Sequence, residues 1–285
     1  MTAKIIDGKK VSSSILERLA SSTKGLVKQF GRSPGLATIL VGEDPASQVY
    51  VRNKNKRCKE IGFQSFEHNL PADISESKLL QLVENLNKDF QVDGILVQLP
   101  LPNHIRSELI LEAILPEKDV DGFHPINVGG LASGKDVLCP CTPSGVIEML
   151  DYYDISIEGK NAVILGRSNI VGKPQAFLLL RRNATVTICH SRTKNLEEVT
   201  SSAELLVAAI GKPSYVTADM VKENAIVIDV GINRVEGKLT GDVDYNPVAA
   251  KASYITPVPG GVGPMTIAML MSNTLKAFKT RLNGG

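Results

Sequence analysis

Residues 163–174 read VILGRSNIVGKP, and this stretch decides the fold that the sequence predicts. An aliphatic run leads into Gly166, and a second glycine, Gly172, follows before a helical pattern. In a dinucleotide-binding fold such a turn brings the backbone close to a pyrophosphate, and free amides at the helix N-terminus favour the anion. The spacing departs from G-x-G-x-x-G because Ser168 stands at the middle glycine. An ordinary strand-to-helix turn is the alternative.

The alternation of strand and helix continues on both sides of this turn. Strand-like aliphatic runs occupy residues 36–42, 94–100, 161–166, 185–190, 204–211 and 225–231. Helical patterns occupy residues 9–30, 45–61, 75–90, 143–153, 172–183 and 264–281. Near-continuous Val, Ile and Leu content indicates strands that are buried on both faces, as in parallel sheets. Strand–helix alternation of this kind predicts an α/β fold.

The length of 285 residues and the loop composition predict two domains. We expect a first α/β domain at residues 1–141, joined by the C-terminal helix at 264–285, and a Rossmann-like cofactor-binding domain at 142–263. The boundary falls in a Gly- and Pro-rich stretch, after which Thr142 is the predicted N-cap of a helix with Pro143 in its first turn. The last helix has one apolar face, so it should pack back on the first domain.

Composition is that of an ordinary globular protein, with 43% hydrophobic and 22% charged residues. A net charge of +2 is too small to indicate nucleic acid or a membrane surface as a partner. No run approaches the roughly 20 apolar residues of a membrane span, so we expect a soluble, cytoplasmic protein. The CPC sequence at 139–141 lacks the second Cys/His pair of a zinc site, and no metal is expected.

The end of the strand at 185–190 bears on the choice of dinucleotide. An NAD-selective fold typically carries Asp or Glu there for the ribose hydroxyls, but residues 187–193 read TICHSRT. Ser191 and Arg192, with Arg167 in the glycine turn, offer hydroxyl and guanidinium donors to a 2′-phosphate. We therefore predict NADP, the alternative being solvated loop cations. The strand ending at Gly231 would bring Ile232 beside the nicotinamide.

Residues 47–56, SQVYVRNKNK, hold three cations within a predicted helix. Residues four apart share a helix face, so Tyr50 and Lys54 project together, with Ser47 one turn earlier. Lys56 lies about 200° around the helix from Lys54 and should point elsewhere. The cations are therefore not one patch, which argues against a phosphate clamp. Taken alone, Lys54 also fits a solvated helix lysine.

Five motifs occur in order along the chain: SQVYVRNKNK, GILVQLPLP, EKDVDGFHPIN, GRSNIVGKP and TPVPGGVGPMT. Together they closely resemble the bifunctional methylenetetrahydrofolate dehydrogenase/methenyltetrahydrofolate cyclohydrolase family over essentially the whole chain. The resemblance implies NADP-dependent oxidation of 5,10-methylenetetrahydrofolate to the methenyl form and hydrolysis of that product to 10-formyltetrahydrofolate. It also implies tetrahydrofolate derivatives as substrates and a homodimer that associates through the cofactor domains.

The resemblance implies roles for individual residues as well. The catalytic set comprises a catalytic lysine, a stacking tyrosine, a glutamine that tunes the lysine and an acid that binds the pterin: Lys54, Tyr50, Gln98 and Asp121. The substrate-binding positions are Ser47, Tyr50, Leu99, Pro100, Asp121, Gly260, Gly261 and Pro264. The cofactor-binding positions are Gly166, Arg167, Ser168, Ser191, Gly211 and Ile232.

The chemistry explains why these residue types are needed. Attack of water on a methenyl carbon needs a base, and an ordinary lysine is protonated at neutral pH. Burial and a nearby substrate cation favour the neutral amine, whereas a neighbouring carboxylate would oppose it. Gln98 can hydrogen-bond Lys54 without adding negative charge, and Asp121 is expected to face the pterin rather than pair with Lys54. Hydride transfer depends mainly on positioning.

Two other classes of protein fit parts of this pattern. A shikimate-type NADP dehydrogenase acting on a hydroxy acid would need a basic site for a carboxylate and a Lys/Asp pair in contact. A non-enzymatic nucleotide-binding module would leave Tyr50, Lys54 and Gln98 without a role.

Overall fold

The computed structural model describes residues 2–283, with side chains described up to residue 282. The strands are β1 (Lys4–Ile5), β2 (Gly35–Val41), β3 (Gln64–Leu70), β4 (Gly94–Val97), β5 (Asn161–Leu165), β6 (Thr185–Cys189), β7 (Leu205–Ala208), β8 (Ile226–Asp229), β9 (Asn233–Val235), β10 (Lys238–Thr240) and β11 (Tyr254–Ile255). The helices are α1 (Gly8–Phe30), α2 (Pro45–Glu60), α3 (Glu76–Lys88), α4 (Ser107–Glu112), α5 (Pro125–Ala132), α6 (Cys141–Tyr152), α7 (Gly172–Leu180), α8 (Leu196–Ser201), α9 (Tyr245–Lys251) and α10 (Val262–Asn283).

The chain forms two compact units. The first, the six-strand unit, contains the described residues up to Ser13 and Pro140–Met269. The second, the three-strand unit, contains Ser14–Cys139 and the described residues from Leu270 onward. The limits of the two functional domains, 1–141 with 264–285 and 142–263, stay a prediction.

The six-strand unit is built on a fully parallel sheet with strand order β1-β11-β8-β7-β5-β6. Leu205–Ala208 and Ile226–Asp229 are buried along their whole length, as expected for strands covered on both faces. The chain passes from β5 to β6 on one side and later to β7 on the other. This reversal creates a crevice at the carboxyl ends of β5 and β7, where doubly wound folds bind their ligands.

The three-strand unit holds a second parallel sheet, in the order β3-β2-β4. Its central strand β2 is buried at every residue. On one face the core includes Ile39, Val83 and Ile95, contributed by β2, α3 and β4. Since the strands are parallel, their carboxyl ends lie at one edge, and this edge carries Gln98 immediately after β4.

The predicted α/β class with parallel sheets is confirmed, and the six predicted strands are all present. β2 is shifted by one residue from the predicted run, and the other five strands are shorter than predicted. Strand β3 lies outside the predicted runs because it is an edge strand with polar residues along its length, QSFEHNL. Such a strand lacks the aliphatic run that marks a buried one. Residues 209–211, at the end of the predicted strand 204–211, lie outside β7 and are irregular, with a bend at Ile210.

The predicted start of α6 is wrong in its detail. The helix begins at Cys141 and its N-cap is Pro140, so Thr142 lies inside the first turn together with Pro143. The Thr142 hydroxyl pairs with that of Thr266 at 3.2 Å rather than capping the helix. A capping-type residue beside proline is a local signal, but in the structure its hydroxyl contacts a residue 124 positions away.

The predicted return of the C-terminal helix to the first domain is confirmed by contacts within the three-strand unit. Asn273 Nδ2 donates to the carbonyls of Val120 and Cys139, both at 2.8 Å. The ring of Phe278 meets that of Phe30 edge to face, with centroids 6.1 Å apart. These contacts bury the predicted apolar face of α10.

None of the described helices is both long and apolar enough to cross a membrane. The four cysteines are free thiols.

Candidate active site

Lys54 lies on α2 with only 7% of its surface exposed. Its Nζ donates a hydrogen bond to Gln98 Oε1 at 3.0 Å, and Gln98 Nε2 donates to the Leu99 carbonyl at 2.7 Å. A carbonyl can only accept, so the Leu99 contact orients the glutamine amide and turns its oxygen toward the lysine. The expected contact between Gln98 and Lys54 is therefore present, and it adds no negative charge.

Helix α2 is held so that this face is turned inward. Asp44 is its N-cap and accepts a hydrogen bond from the Ser47 amide at 2.7 Å, while Pro45 occupies the first turn. The hydrogen bonds from Ser47 lower the pKa of the Asp44 carboxyl. Further along, Asn55 accepts a hydrogen bond from the Thr38 hydroxyl at 2.9 Å, which ties the helix to β2.

The predicted split of the three cations is confirmed. Lys56 has an exposed side chain that lies 3.9 Å from Glu60, and Arg52 is exposed as well. Both line an open groove of about 1230 Å³ between α2 and β3. Tyr50, one turn before Lys54, is 40% exposed.

Asp121 lies half-buried after the loop that follows α4. Burial raises the pKa of this carboxyl to about 6, the Lys54 ammonium lowers it and the Asp119 carboxylate raises it. Lys54 and Asp121 therefore sense each other electrostatically. The expectation that Asp121 faces the pterin rather than pairing with Lys54 stays a prediction.

The neighbouring Asp119 was not singled out from the sequence. It is 1% exposed, and its Oδ2 accepts from the His124 amide at 2.8 Å and from Asn127 Nδ2 at 2.9 Å. Burial raises the pKa of Asp119, and these hydrogen bonds lower it. The carboxylate thus closes the loop that carries Asp121. The only signal in the sequence was its place in the motif EKDVDGFHPIN.

The glycine turn after β5 requires glycine for close backbone approach. Gly166 has φ +131°, and a Cβ there would lie 2.2 Å from the Ala209 carbonyl oxygen. A Cβ on Gly172 would lie 2.2 Å from the Gly166 carbonyl oxygen. Because both residues lack a side chain, the ends of β5 and β7 and the start of α7 can approach one another closely. A side chain at either position would fill the space between them.

Ser168, at the position of the middle glycine, contacts the first turn of α7. Its hydroxyl accepts hydrogen bonds from the amides of Val171 at 3.1 Å and Gly172 at 3.3 Å. These are amides at the start of α7, which would otherwise lack a partner. The departure from G-x-G-x-x-G therefore has a structural reason, because the Ser168 hydroxyl accepts hydrogen bonds from the first amides of α7.

The residues around this turn expose the donors expected for a phosphate. Ser191, Arg167 and Arg192 are all exposed. Within the described residues neither arginine forms an ion pair with a carboxylate. The turn after β6 is shaped by the His190 amide, which donates to Thr193 Oγ1 at 2.9 Å.

The remaining predicted cofactor residues follow β7 and β8 in the same unit. Gly211 has φ +66° and is exposed, and Ile232 is 46% exposed. A Cβ on Gly263 would lie 3.4 Å from Ile232 Cδ1, so Ile232 lies next to the loop that opens α10. The structure thus brings a predicted nicotinamide contact beside the predicted substrate loop.

That loop is held within the six-strand unit. The Gly261 amide donates to the Pro257 carbonyl at 2.8 Å, the Gly260 carbonyl accepts from the Lys9 amide at 3.2 Å, and the Pro264 carbonyl accepts from Ser12 Oγ at 3.1 Å. The other predicted substrate residues, Ser47, Tyr50, Leu99, Pro100 and Asp121, belong to the three-strand unit. The Leu99–Pro100 peptide bond is cis. No group of three or more metal-binding side chains occurs among residues 2–283.

Comparison with known proteins agrees with this arrangement. Residues 6–121 match the model of the tetrahydrofolate dehydrogenase/cyclohydrolase catalytic domain, and residues 140–282 match that of its NAD(P)-binding domain. The bifunctional protein FolD of Campylobacter hominis is 57% identical over 279 residues, covering 98% of each chain.

The solved structures that the chain resembles include enzymes of the same family. The bifunctional FolD enzyme of Campylobacter jejuni is 53% identical, with a TM-score of 0.96 over 98% of this chain and 99% of that one. The Trypanosoma brucei enzyme, solved with NADP and an inhibitor, is 40% identical, with a TM-score of 0.95 over 99% of each chain. A shikimate dehydrogenase from Aquifex aeolicus is 14% identical with a TM-score of 0.51, which is a likeness of fold alone.

The parallel sheet, its glycine turn and the Lys54–Gln98 pair define a two-domain enzyme of the dinucleotide-dependent dehydrogenase class. The chain belongs to the tetrahydrofolate dehydrogenase/cyclohydrolase family.

Proposed function

We propose that this protein oxidises 5,10-methylenetetrahydrofolate to 5,10-methenyltetrahydrofolate with NADP, and then hydrolyses the methenyl form to 10-formyltetrahydrofolate. The observation that carries the proposal is the buried Lys54, hydrogen-bonded to Gln98 at 3.0 Å on the helix that also carries Tyr50. Family membership over the whole chain supports both activities. Neither alternative class explains this lysine–glutamine pair.

In the first reaction, NADP, when bound, would supply the acceptor for the hydride that leaves the one-carbon bridge. The residues proposed to bind the cofactor are Gly166, Arg167, Ser168, Ser191, Gly211 and Ile232. The glycine cradle after β5 supports this fit, since it leaves backbone surface open where a side chain would stand. This step asks the chain chiefly to hold the donor carbon near the nicotinamide.

In the second reaction, a water oxygen bonds to the methenyl carbon and gives its proton to the Lys54 amine. Collapse of the tetrahedral adduct breaks the bond between this carbon and N5, which gains a proton, and leaves the formyl group on N10. Gln98 holds the amine from one side, and Tyr50 offers a flat face for stacking. Asp121 accepts hydrogen bonds from the amino-pyrimidine edge of the pterin.

Further substrate contacts belong to this proposal: Ser47, Leu99, Pro100, Gly260, Gly261 and Pro264. The folate-binding catalytic domain comprises residues 1–141 with 264–285, and the NADP-binding domain comprises 142–263. The matches to the two family models at 6–121 and 140–282 support this division. A cytoplasmic location stays a prediction.

The preference for NADP over NAD is part of the proposal. The loop after β6 carries Ser191 and Arg192 and no carboxylate, so nothing there repels a 2′-phosphate. Exposed guanidinium groups without ion pairs in the described part of the chain are suited to bind it.

The protein is proposed to form a homodimer through the edge strand β6. This strand ends the six-stranded sheet, so within residues 2–283 one side of its backbone has no strand partner. Ile188 on β6 is 37% exposed and Leu180 at the end of α7 is 61% exposed. The opposite edge, β1, is only two residues long. The β6 edge is thus the longer template for strand pairing between copies of the six-strand unit.

Absorbance tests the function. Purified protein given methylenetetrahydrofolate should form NADPH from NADP, with a lower rate when NAD replaces it. Methenyltetrahydrofolate alone should lose its near-ultraviolet band faster than it does without protein. Absence of both signals would reject the proposal, and a signal with only one substrate would reject bifunctionality.

A further inference from the structure

Asp242 is a fully buried carboxylate between β10 and α9 that no predicted role uses. Its Oδ2 accepts hydrogen bonds from the amides of Ile210 at 2.7 Å and Gly211 at 2.9 Å. Its Oδ1 accepts from the Lys212 amide and from Asn233 Nδ2, both at 2.9 Å. Three successive amides therefore converge on one carboxylate, in the arrangement that binds anions in proteins.

The three amides that bind Asp242 lie beside the predicted cofactor crevice. They follow β7, whose carboxyl end borders the crevice where the order of strands reverses. An amide nest at this crevice would ordinarily be available to a cofactor phosphate. Here an internal carboxylate fills it, so the amide of Gly211 already has its acceptor. The fourth donor, Asn233, follows Ile232 directly, so the same carboxylate ties together the loops after β7 and β8.

A second buried carboxylate holds Asp242 in place. Asp229 Oδ1 accepts from the amides of Gly231 at 3.0 Å and Asp242 at 2.9 Å, and its Oδ2 accepts from the Val243 amide at 3.0 Å. The Asp229 amide in turn donates to Thr256 Oγ1 at 2.7 Å.

Packing around the two carboxylates leaves no space for adjustment. A Cβ on Gly231 would lie 2.2 Å from Asp242 Oδ1, and a Cβ on Gly241 would lie 1.9 Å from Asp229 Oδ2. Both are shorter than any contact that a real side chain tolerates. The two glycines therefore let the backbone pack directly against the carboxylates, which restricts the conformation of both loops.

We propose that Asp242 is a positioning residue for the dehydrogenase reaction: as an internal anion it fills the amide nest after β7 and sets the loop that presents Ile232 to the nicotinamide. It follows that Gly211 contributes an open surface rather than an amide hydrogen bond. The cofactor phosphates are then left to the turn after β5 and the loop after β6. This inference rests on the proposed function.

The test compares Asp242→Asn and Asp242→Ala with Asp244→Asn. Asp244 lies two residues further on and makes no side-chain cap hydrogen bond to α9, which makes it a matched control. In Asp242→Asn an NH2 group faces backbone donors, and in Asp242→Ala all four donors lose their acceptor. Each unmade hydrogen bond of this kind corresponds to about tenfold in an equilibrium constant.

Three readouts separate positioning from general destabilisation. We expect the KM for NADP to rise about tenfold or more in both Asp242 variants. Amide hydrogen exchange at residues 210–212 and 231–233 of the cofactor-free protein should accelerate by a similar factor. The hydrolysis of methenyltetrahydrofolate should stay within about twofold of wild type, because its proposed base belongs to the other unit. The Asp244 control should change none of these.

Unchanged KM and unchanged exchange in Asp242→Asn would overturn the inference. So would a parallel loss of both activities with the folded fraction, because that is the pattern of a purely structural residue. If Asp242→Ala fails to fold, the asparagine variant carries the test. Should the wild type fail to reduce NADP at all, the proposed function falls. Hydrogen exchange and calorimetric NADP binding then still report on Asp242.

Discussion

At the scale of single residues, burial distinguishes the lysine proposed as a general base from a solvent-exposed lysine on the same helix. Lys54 is 7% exposed and hydrogen-bonded to Gln98, whereas Lys56, two residues on, has an exposed side chain beside Glu60. The same helix thus offers both a candidate base and an internal control. The difference arises from helical geometry, which turns positions two apart to opposite faces.

Lys54→Met should reduce the hydrolysis of methenyltetrahydrofolate at least about 100-fold, because a general base is removed. The dehydrogenase rate should fall by no more than about tenfold, since hydride transfer depends mainly on positioning. Both rates are measured on one preparation by absorbance, with Lys56→Met as the control that should retain both. Equal retention of the two activities in Lys54→Met would exclude Lys54 as the base.

Asp121 gives the substrate site a pH dependence. Burial raises its pKa to about 6, so the carboxylate is ionised at neutral pH and protonated in mild acid. If the ionised form binds the pterin, the KM for methenyltetrahydrofolate should rise as the pH falls below 6, by up to about tenfold per pH unit. Asp121→Asn should have a high KM that no longer changes over this range. A wild-type KM that is flat from pH 5 to 8 would contradict the assignment.

The same shift predicts an effect of opposite sign on stability. The folded-state pKa of Asp121 lies above the ordinary value, so ionisation is easier in the unfolded chain. Its contribution to stability therefore falls as the pH rises from about 4 through 6. Asp121→Asn should consequently raise the Tm at pH 8 relative to wild type while weakening substrate binding, and the gain should shrink toward pH 4. Thermal denaturation followed by circular dichroism measures both trends.

At the scale of elements, a buried lysine from a later segment binds the C-terminal end of α3. Lys118 is 1% exposed, and its Nζ donates to the carbonyls of Leu86 at 2.9 Å and Asp89 at 2.8 Å. Burial lowers the pKa of Lys118 to about 8, and the nearby Arg281 lowers it further. The lysine supplies donors to carbonyls at the helix end that lack partners within the helix.

Lys118→Met should lower the free energy of unfolding by about 2–4 kcal/mol, because the buried Leu86 carbonyl and the partly buried Asp89 carbonyl lose a charged donor. Lys78→Met, on the exposed face of the same helix, should change it by no more than about 0.5 kcal/mol. Urea denaturation of the three proteins makes the comparison. Equal midpoints for the two variants would show that Lys118 is not needed to end the helix.

At the scale of the whole molecule, the free edge of the six-stranded sheet bears on assembly. Ile188→Lys puts a charge on β6, which disfavours pairing with a second copy. The variant should sediment as a monomer where wild type sediments as a dimer. Val27→Lys, at a similarly exposed apolar position on α1, is the control and should remain dimeric. A monomeric wild type, or a dimeric Ile188→Lys, would reject this interface.

The return of the C-terminal helix is also a property of the whole chain. Buried Asp93 forms a paired hydrogen bond with Arg32, at 2.7 and 2.9 Å, and accepts from Arg281 on α10 at 2.8 Å. Arg32 also stacks over the rings of Phe90 and Phe278. The apolar face of α10 predicted that the helix would be buried, but these partner residues come from two distant segments, around residue 32 and at residues 90–93.

The sequence by itself determined the parallel α/β class, the turn after β5, the helix that carries Tyr50 and Lys54, and the exposure of Lys56. These features follow from aliphatic runs, glycine positions and helical periodicity, all of which act over a few residues. Strand β3 and the first turn of α6 escaped this reasoning, because a polar edge strand and a capping hydroxyl respond to neighbours that are distant in sequence.

Only the tertiary structure decided which groups meet. The fold brings Gln98 to Lys54 across 44 residues, and it brings Asp242 to the amides of 210–212 across about 30. The local sequence around an aspartate does not predict whether its carboxylate will face solvent, a substrate or the amides of the same chain. That outcome depends on the packing of whole strands and loops around it, because a buried charge persists only where enough donors converge on it.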